Sequence, residues 1–272
     1  MKQYLPRIAD KQLENILSVM GAVLITGPKW CGKTTTSQQQ AKSIIKMQDP
    51  DLAQGYIATA ETKPSLLLKG DNPRLIDEWQ IAPVLWDAVR VAVDERQEKG
   101  LFILTGSTSV DESSIMHSGT VRIARMSMNT MSLFESKESN GLISLEALFA
   151  DDSVEIDGIQ SDLSVERLIF AACRGGWPAC LDQEDENASL LIASTYIDSI
   201  CESDASVIDG VKRDPKKVRA IINSLARNIG TPATNSTLHK DIFGVCQLFG
   251  HKQRYDVFLY GCLIKTLCYR RY

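Results

Sequence analysis

The sequence has no long hydrophobic run. None of its 272 residues lies in a stretch that is long and apolar enough to span a membrane. The first residues, MKQYLPRIADKQLENIL, carry a proline and interspersed charges where a secretory signal peptide needs an apolar segment. The sequence therefore predicts a cytoplasmic protein that does not bind a membrane.

Cysteine and histidine patterns that hold metals are also absent. The seven cysteines stand at positions 31, 173, 180, 201, 246, 262 and 268, and no two form a CxxC pair. The three histidines, at positions 117, 239 and 251, are isolated in the sequence. We therefore expect free thiols in a reducing compartment, no cysteine-bound metal and no catalytic histidine.

The sequence also has no excess of positive charge. The formal net charge is -4 and the isoelectric point is near 5.5, which argues against a protein whose whole surface binds nucleic acid. A local basic patch would still allow nucleic-acid binding, so that question stays open. With 44% hydrophobic residues, the chain can bury the core of one large domain and a smaller second one.

What the sequence does contain is the pattern of a phosphate-binding loop. The stretch LITGPKWCGKTTT runs from an apolar segment through a glycine and four intervening residues to Gly-Lys-Thr. Its glycines let backbone N–H groups curl around phosphate oxygens, and Lys33 adds a positive charge for the β and γ phosphates. Thr34 offers a hydroxyl to Mg²⁺. We expect ATP to contact Gly27, Pro28, Lys29, Trp30, Cys31, Gly32, Lys33, Thr34 and Thr35.

Two residues of this loop allow more than one interpretation. Trp30 either covers the bound nucleotide or packs on the protein surface. Cys31 either has a reactive thiol, because the N-terminus of the next helix lowers its pKa, or is a small residue that fits the loop. The sequence favours the second role for Cys31 and leaves both open for Trp30.

Acidic residues follow the next apolar segment. In PRLIDEWQ, residues 73–80, Asp77 and Glu78 come directly after a short predicted strand, at the end where open α/β sheets bind ligands. Asp77 can hold Mg²⁺, and Glu78 can orient or deprotonate the water that attacks the γ phosphate. The pair favours an ATPase over a small-molecule kinase, which activates a substrate hydroxyl instead. An exposed acidic turn is the alternative.

Hydroxyl side chains end a third apolar segment. LTGSTS places Thr105, Ser107 and Thr108 where a parallel strand would end near the γ phosphate. One of these hydroxyls could sense the phosphate or help to place the attacking water, and we prefer Ser107 to Thr105. Turn-forming residues are common after strands, which is the alternative.

Arginines further along the chain allow an arginine finger, which would reach phosphate in the same or a neighbouring subunit. The candidates are Arg122, Arg125 and Arg174. A solvated or ion-paired arginine is the favoured interpretation for each of them.

Hydrophobic periodicity predicts an α/β fold with a helical region behind it. The expected order is a helix at 8–19, a strand at 21–26, a helix at 33–47, a strand at 73–80, a helix at 82–100, and strands at 101–109 and 121–128. This order is typical of a parallel sheet flanked by helices, here of the P-loop NTPase class. From about residue 161 the pattern is mostly helical.

Six segments together resemble a known family: GAVLITGPKWCGKTTT, LIDEWQIAPVLWDAVR, FILTGSTS, MSLFES, RGGWPA and LARNIGTPA. They are similar to the prokaryotic AAA-superfamily ATPases that carry a C-terminal domain of unknown function, over about residues 4–244. The resemblance implies an AAA/RecA-like core with Walker A at 27–34, Walker B at Asp77 and Glu78, and a first sensor at the TGS strand end. It also implies that residues 4–7 lie near the adenine.

The family pattern continues with a winged-helix-like segment and a further nuclease-like domain, beyond the length seen here. We therefore expect a P-loop ATPase core at 1–155, a helical lid or linker at 156–230 and a truncated winged-helix-like segment at 231–272. A protein partner or self-association would act through this C-terminal region.

The end of the chain departs from the family pattern. Residues 246–272 hold three of the seven cysteines, six of the fourteen Tyr and Phe residues and one acid, Asp256. Reading permitted codons for this segment one nucleotide later gives VNYSGISNDTMSSYMDALLKLFVIDD, which has an amphipathic periodicity that the actual tail lacks. We hypothesise a frameshift near residue 245, and a divergent C-terminal strand and helix is the alternative. The genomic DNA around codon 245 distinguishes the two.

Three functions fit these residues. The leading hypothesis is a Mg²⁺-dependent ATPase of AAA type. The second is a truncated protein that binds ATP without useful turnover. The third, a small-molecule phosphotransferase, is weaker because no acceptor-site motif follows the loop.

Overall fold

One parallel sheet of five strands organises the part of the chain that the structure describes. A computed structural model describes residues 4–107, 119, 121–150, 156–205 and 212–246. The strands are β1 (Ala22–Gly27), β2 (Ser43–Lys46), β3 (Arg74–Asp77), β4 (Phe102–Ser107) and β5 (Ile123–Ser127). Their order across the sheet is β2-β3-β4-β1-β5. With the helices around it, this sheet confirms the predicted α/β, P-loop NTPase fold class.

Helices precede, connect and follow the strands. Those described are α1 (Ile8–Val19), α2 (Lys33–Gln40), α3 (Ala53–Thr62), α4 (Val84–Arg96), α5 (Leu145–Ala150), α6 (Val165–Arg174), α7 (Pro178–Leu181), α8 (Glu186–Ser199), α9 (Pro215–Arg227) and α10 (Asn235–Cys246). Two 3₁₀ turns lie at Pro64–Leu66 and Trp79–Ile81, and a π turn at Ile200–Asp204 extends α8. The described part of the region after residue 161 is mostly helical, as the sequence predicts.

The insertion of β4 between β1 and β3 positions the candidate site. Gly27 at the end of β1 lies opposite Ser107 of β4, and Asp77 at the end of β3 lies opposite Thr105. All these pairings are parallel, so the carboxyl ends of the three strands meet at one edge of the sheet. The phosphate-loop pattern and the acidic pair are therefore neighbours in space.

Apolar residues cover both faces of the sheet, because successive side chains of a strand point to opposite sides. Leu24 belongs to one buried cluster, together with Trp86 of α4. Its neighbour Val23 belongs to a second buried cluster, together with Leu13 of α1. Burial on both faces explains why β1 reads as a continuous apolar run in the sequence.

The predicted helix over 33–47 is wrong in its second half. Helix α2 ends at Gln40, Ala41 is extended, and residues 43–46 form the edge strand β2. In this strand Ile44 pairs with Leu75 and Ile45 with Ile76. Two adjacent β-branched residues favour a strand, and pairing with β3 outweighs the helical propensity of the preceding glutamines.

The C-terminal part of the chain forms a second compact unit. The boundary falls after Leu190, inside α8. In this unit α9 and α10 share a buried apolar cluster that includes Val218, Ile221 and Ile242. Asp214 caps α9 by accepting a hydrogen bond from the backbone N–H of Lys216 at 2.9 Å. The proposed limits at 155 and 230 and the winged-helix assignment stay predictions.

Two expectations concern the ends of the chain. Among the described helices, none is long and apolar enough to cross a membrane. The hypothesis of an out-of-frame tail concerns residues that, from 247 onward, lie outside the described part of the chain. It therefore stays a hypothesis.

Candidate nucleotide-binding site

The phosphate-loop pattern forms the turn between β1 and α2, and its two glycines are structurally required. A Cβ on Gly27 would lie 2.1 Å from the backbone oxygen of Met128, so any side chain there would displace the neighbouring strand segment. Gly32 has a φ of 101° and is the N-cap of α2, a left-handed conformation that favours glycine. The loop thus leads directly into the positive end of a helix dipole.

Lys33 is the buried cation of this loop. Its side chain is 7% exposed, and its Nζ donates to the backbone oxygens of Gly27 at 3.0 Å and Pro28 at 2.9 Å. The ammonium therefore lies against the first two residues of the loop. Because a lysine side chain is flexible and has three donors, it can exchange these carbonyls for phosphate oxygens without a change in the backbone.

Thr34 and Asp77 meet in the structure, as the sequence predicts for residues that share a metal ion. Thr34 Oγ1 donates to Asp77 Oδ1 at 2.7 Å. Thr105 Oγ1 donates to the same oxygen at 2.5 Å. In the described residues no group of three or more His, Cys, Asp and Glu could hold a metal. A hydroxyl and one carboxylate fit Mg²⁺, which completes its shell with phosphate oxygens and water.

Glu78 follows Asp77 in an unusual backbone conformation. Its φ is 57° and its ψ is 50°, in the left-handed region that few non-glycine residues adopt. Its backbone N–H donates to Thr105 Oγ1 at 3.4 Å, and its Oε2 accepts a hydrogen bond from Gln80 Nε2. The sharp turn after β3 thus brings the Glu78 carboxylate next to Gln80, a contact that sequence reasoning missed.

The structure describes only some of the hydroxyl residues that the sequence offers as a phosphate sensor. The backbone of Ser107 ends β4 opposite Gly27, but its side chain and Thr108 lie outside what the structure describes. Thr105, the residue that the sequence analysis ranked below Ser107, is fully buried and contacts Asp77. Ser107 stays a prediction, and Thr105 joins the candidate site.

The remaining side chains of the loop differ in their exposure to solvent. Trp30 is 63% exposed and has a φ of 61°, while Lys29 and Thr35 are also exposed. Cys31 is fully buried, and its Sγ donates to the backbone oxygen of Met128 at 3.6 Å. Burial raises the pKa of the Cys31 thiol, and the nearby positive charge of Lys33 only partly opposes this. The structure thus favours the small-residue role of Cys31 over a reactive thiol.

The three arginine-finger candidates all have partners within the chain. Arg122 pairs with Asp94 at 2.8 Å, and the guanidinium of Arg125 lies 5.7 Å from the ring centroid of Trp86. Arg174 makes a bidentate pair described below. These contacts favour the ion-paired interpretation for Arg122 and Arg174, whereas Arg125 contacts an aromatic ring. Of the histidines, His239 lies in α10, and positions 117 and 251 are outside the described residues.

Arg174 forms a nearly buried ion pair with Glu138. Its Nη1 and Nη2 donate to the two carboxylate oxygens at 3.0 and 2.7 Å, and the side chains are only 8% and 15% exposed. The Arg174 bonds, although opposed by burial, hold the pKa of Glu138 below its ordinary value. This pair fixes the end of α6 against the segment that follows β5.

We expect Arg174→Met to lower the free energy of unfolding by roughly 3 kcal/mol at neutral pH, because it leaves a nearly buried carboxylate unpaired. A lowered folded-state pKa stabilises the fold above the unfolded value, about pH 4.3, and this contribution disappears as the pH falls through the folded pKa. Urea unfolding should therefore show a larger difference between parent and variant at pH 7 than at pH 3.

The matched control is Arg219→Met, which removes an ion pair with Asp198 whose side chains are 43% and 49% exposed. Its effect should stay below about 1 kcal/mol. Equal losses for the two variants would contradict the structural role assigned to Arg174.

Two family models match the chain. One, described as an AAA domain, covers residues 20–137, and the other, described as a domain of unknown function, covers residues 165–245. The chain thus carries an AAA domain and, behind it, a domain of unknown function. The resemblance predicted from the motifs is thereby confirmed, and the AAA domain contains the loop, Asp77 and Glu78.

Part of the chain has curated relatives in mycobacteria. The uncharacterized proteins Rv2008c of Mycobacterium tuberculosis and Mb2031c of Mycobacterium bovis are each 36% identical over 106 residues. The match spans 39% of this chain but only 24% of each relative. Among solved structures, the Walker-type ATPase PABY2304 of Pyrococcus abyssi aligns at 12% identity and a TM-score of 0.46, over 90% of this chain and 89% of that one.

Proposed function

We propose that the protein is a Mg²⁺-dependent ATPase that converts ATP and water to ADP and phosphate. The observation that carries this proposal is the joint hydrogen bonding of Thr34 and Thr105 to Asp77 Oδ1. These bonds tie the loop, the carboxylate and the neighbouring strand together at the ligand-binding edge of the sheet. Glu78 lies at the same strand end, one residue beyond the carboxylate.

Phosphate binding uses groups that are already arranged for it. The loop supplies backbone N–H groups at the N-terminus of α2, and Lys33 exchanges its two carbonyl partners for oxygens of the β and γ phosphates. Thr34 and Asp77 are the residues that would hold Mg²⁺. When bound, the ion neutralises negative charge on the phosphate oxygens.

Glu78 acts as the general base of this reaction. Its carboxylate accepts a proton from the attacking water, whose oxygen forms a bond to the γ phosphorus. The bond from that phosphorus to the bridging oxygen breaks, and ADP leaves with the electron pair. Gln80, through its hydrogen bond to Oε2, restricts the orientation of the carboxylate.

For the cellular compartment and the partners, we propose only the general class. Four cysteines whose side chains are described, Cys31, Cys173, Cys180 and Cys201, have free thiols, which supports a reducing compartment such as the cytoplasm. Association with another protein or a second copy through the C-terminal region is also proposed.

Steady-state release of phosphate from ATP by the purified protein tests the ATPase function. The expected result is Mg²⁺-dependent turnover without any added acceptor. ATP binding without turnover would favour the binding-only alternative, and turnover that requires a small-molecule acceptor would favour a phosphotransferase.

A further inference from the structure

Arg7 is a buried arginine that contacts the phosphate-binding loop from outside. It is 8% exposed, and each of its three guanidinium nitrogens donates one hydrogen bond. Nη1 donates to the backbone oxygen of Cys31 at 2.8 Å, Nη2 to that of Asn129 at 2.9 Å, and Nε to Glu135 Oε1 at 2.9 Å. The guanidinium therefore joins the loop to the segment that follows β5.

Glu135 is held rigidly and remains charged. Its Oε1 also accepts the backbone N–H of Ile8 at 2.9 Å, and its Oε2 accepts the backbone N–H and the hydroxyl of Ser132 at 2.8 and 3.0 Å. Burial acts to raise the pKa of Glu135, but these bonds and the Arg7 bond outweigh it and leave the pKa below its ordinary value. A fixed anion of this kind fixes the guanidinium in turn.

The bond to Cys31 determines the direction of a neighbouring N–H group. In a trans peptide the carbonyl of one residue and the N–H of the next point in opposite directions. Because Arg7 holds the Cys31 carbonyl outward, the N–H of Gly32 points away from Arg7, toward the inner side of the loop. The Cys31 thiol, which donates to Met128, is also on the outer side. A phosphate loop needs this arrangement, with carbonyls outward and N–H groups inward.

The segment around Arg7 is also attached to α2. Tyr4 OH donates to Asp10 Oδ1 at 2.5 Å and lies 3.1 Å from Thr36 Oγ1. The other oxygen of Asp10 accepts the backbone N–H of Arg7 at 2.7 Å. The segment thus contacts both the loop and the first turns of the helix that the loop precedes.

We propose that Arg7, held by Glu135, is a positioning residue that keeps the Cys31–Gly32 peptide oriented for phosphate binding. This inference rests on the proposed function of the loop as an ATP site. Arg7 touches neither phosphate nor water in this role; it acts only through the loop backbone. Its loss therefore weakens phosphate binding while Asp77 and Glu78 stay in place.

Arg7→Met tests the inference, because methionine keeps much of the apolar stem and removes all donors. Calorimetry with ATP and Mg²⁺, and competition by inorganic tripolyphosphate, should both show affinity reduced about tenfold, the scale of a misplaced charge-binding N–H group. KM for ATP should rise by a similar factor, while kcat at saturating ATP stays within about threefold. Arg96→Met, which removes an exposed arginine paired with Glu98, is the matched control and should change neither parameter.

The pattern of kinetic changes separates positioning from simple destabilisation. A variant that only loses folded protein lowers kcat and leaves KM and the ATP dissociation constant unchanged, and that result would overturn the inference. Arg7→Lys, which keeps one charged donor, should recover part of the affinity.

Glu135→Gln keeps the side-chain volume and provides a milder variant if Arg7→Met does not fold. It should raise the dissociation constant for ATP about threefold, because a neutral acceptor holds the guanidinium less firmly. Unchanged affinity in both Arg7→Lys and Glu135→Gln contradicts the proposal. Parent protein that fails to bind ATP contradicts the proposed function itself, and the inference with it.

Discussion

Replacing Lys33 by alanine is expected to weaken ATP binding about tenfold to a hundredfold, because it removes the buried cation that the loop provides for phosphate. The Nζ of Lys33 donates hydrogen bonds to the backbone oxygens of Gly27 and Pro28, the first two residues of the loop. Calorimetric titration with ATP in Mg²⁺ buffer measures the loss, and thermal unfolding of the variant shows whether the fold is retained.

Lys29→Ala is the matched control for Lys33→Ala. Lys29 belongs to the same loop and has the same charge, but its side chain is exposed, and alanine keeps the backbone N–H through which this residue would contact ATP. We expect its affinity to fall by less than about threefold, because an exposed charge is screened by solvent and salt. ATP affinity that is unchanged in a folded Lys33→Ala variant would mean that the phosphate-binding assignment is wrong.

The sequence predicted the parts of the site that depend on local spacing. The loop, Asp77 and Glu78 each follow an apolar run by a fixed number of residues, so their place at a strand end can be inferred without tertiary information. The choice between Thr105 and Ser107 cannot be inferred in this way, because residues two positions apart are equivalent in the alternating pattern of a strand. Only the register of β4 against β3 puts Thr105 opposite Asp77.

Long-range contacts explain the residues that sequence reasoning missed. Arg7 bonds to Cys31, 24 positions away, and to Glu135, 128 positions away. No local sequence pattern predicts hydrogen bonds between residues so far apart in the chain. The family resemblance suggested only that residues 4–7 lie near the adenine. Gln80 is different, because it is two residues from Glu78 and the 3₁₀ turn over Trp79–Ile81 brings the side chains together. That turn depends on the left-handed backbone conformation of Glu78, which the sequence alone does not reveal.

Helices and strands were predicted correctly where the apolar residues follow a single period, either that of a helix or that of a strand. Helix α1 matches the expected range, and β1, β3, β4 and β5 overlap the expected strands. Strand β2 was missed because no glycine or proline separates SIIK from the helix before it, and only pairing with β3 selects the extended conformation. The expected helix over 82–100 ends at Arg96, since Gln97 adopts a left-handed φ of 52° that ends α4 before Gly100.

Glu78→Gln is expected to keep ATP binding and to lower turnover about a hundredfold or more, the scale of a lost general base. The substitution preserves size, and the new amide oxygen can still accept the hydrogen bond that Gln80 donates. The geometry after β3 therefore changes little. The loss of turnover is then due to the missing negative charge and proton acceptor. Phosphate release at saturating ATP measures turnover, and calorimetry measures binding.

Glu95→Gln controls for the loss of one negative charge, because Glu95 is an exposed residue near the end of α4. Its turnover should equal that of the parent, since an exposed charge far along the helix is screened from the γ phosphate. If Glu78→Gln and the parent hydrolyse ATP at equal rates above background, Glu78 is not the base. If neither hydrolyses ATP although both bind it, the chain is a nucleotide-binding protein without useful turnover, because the same loop can hold ATP whether or not a base follows Asp77.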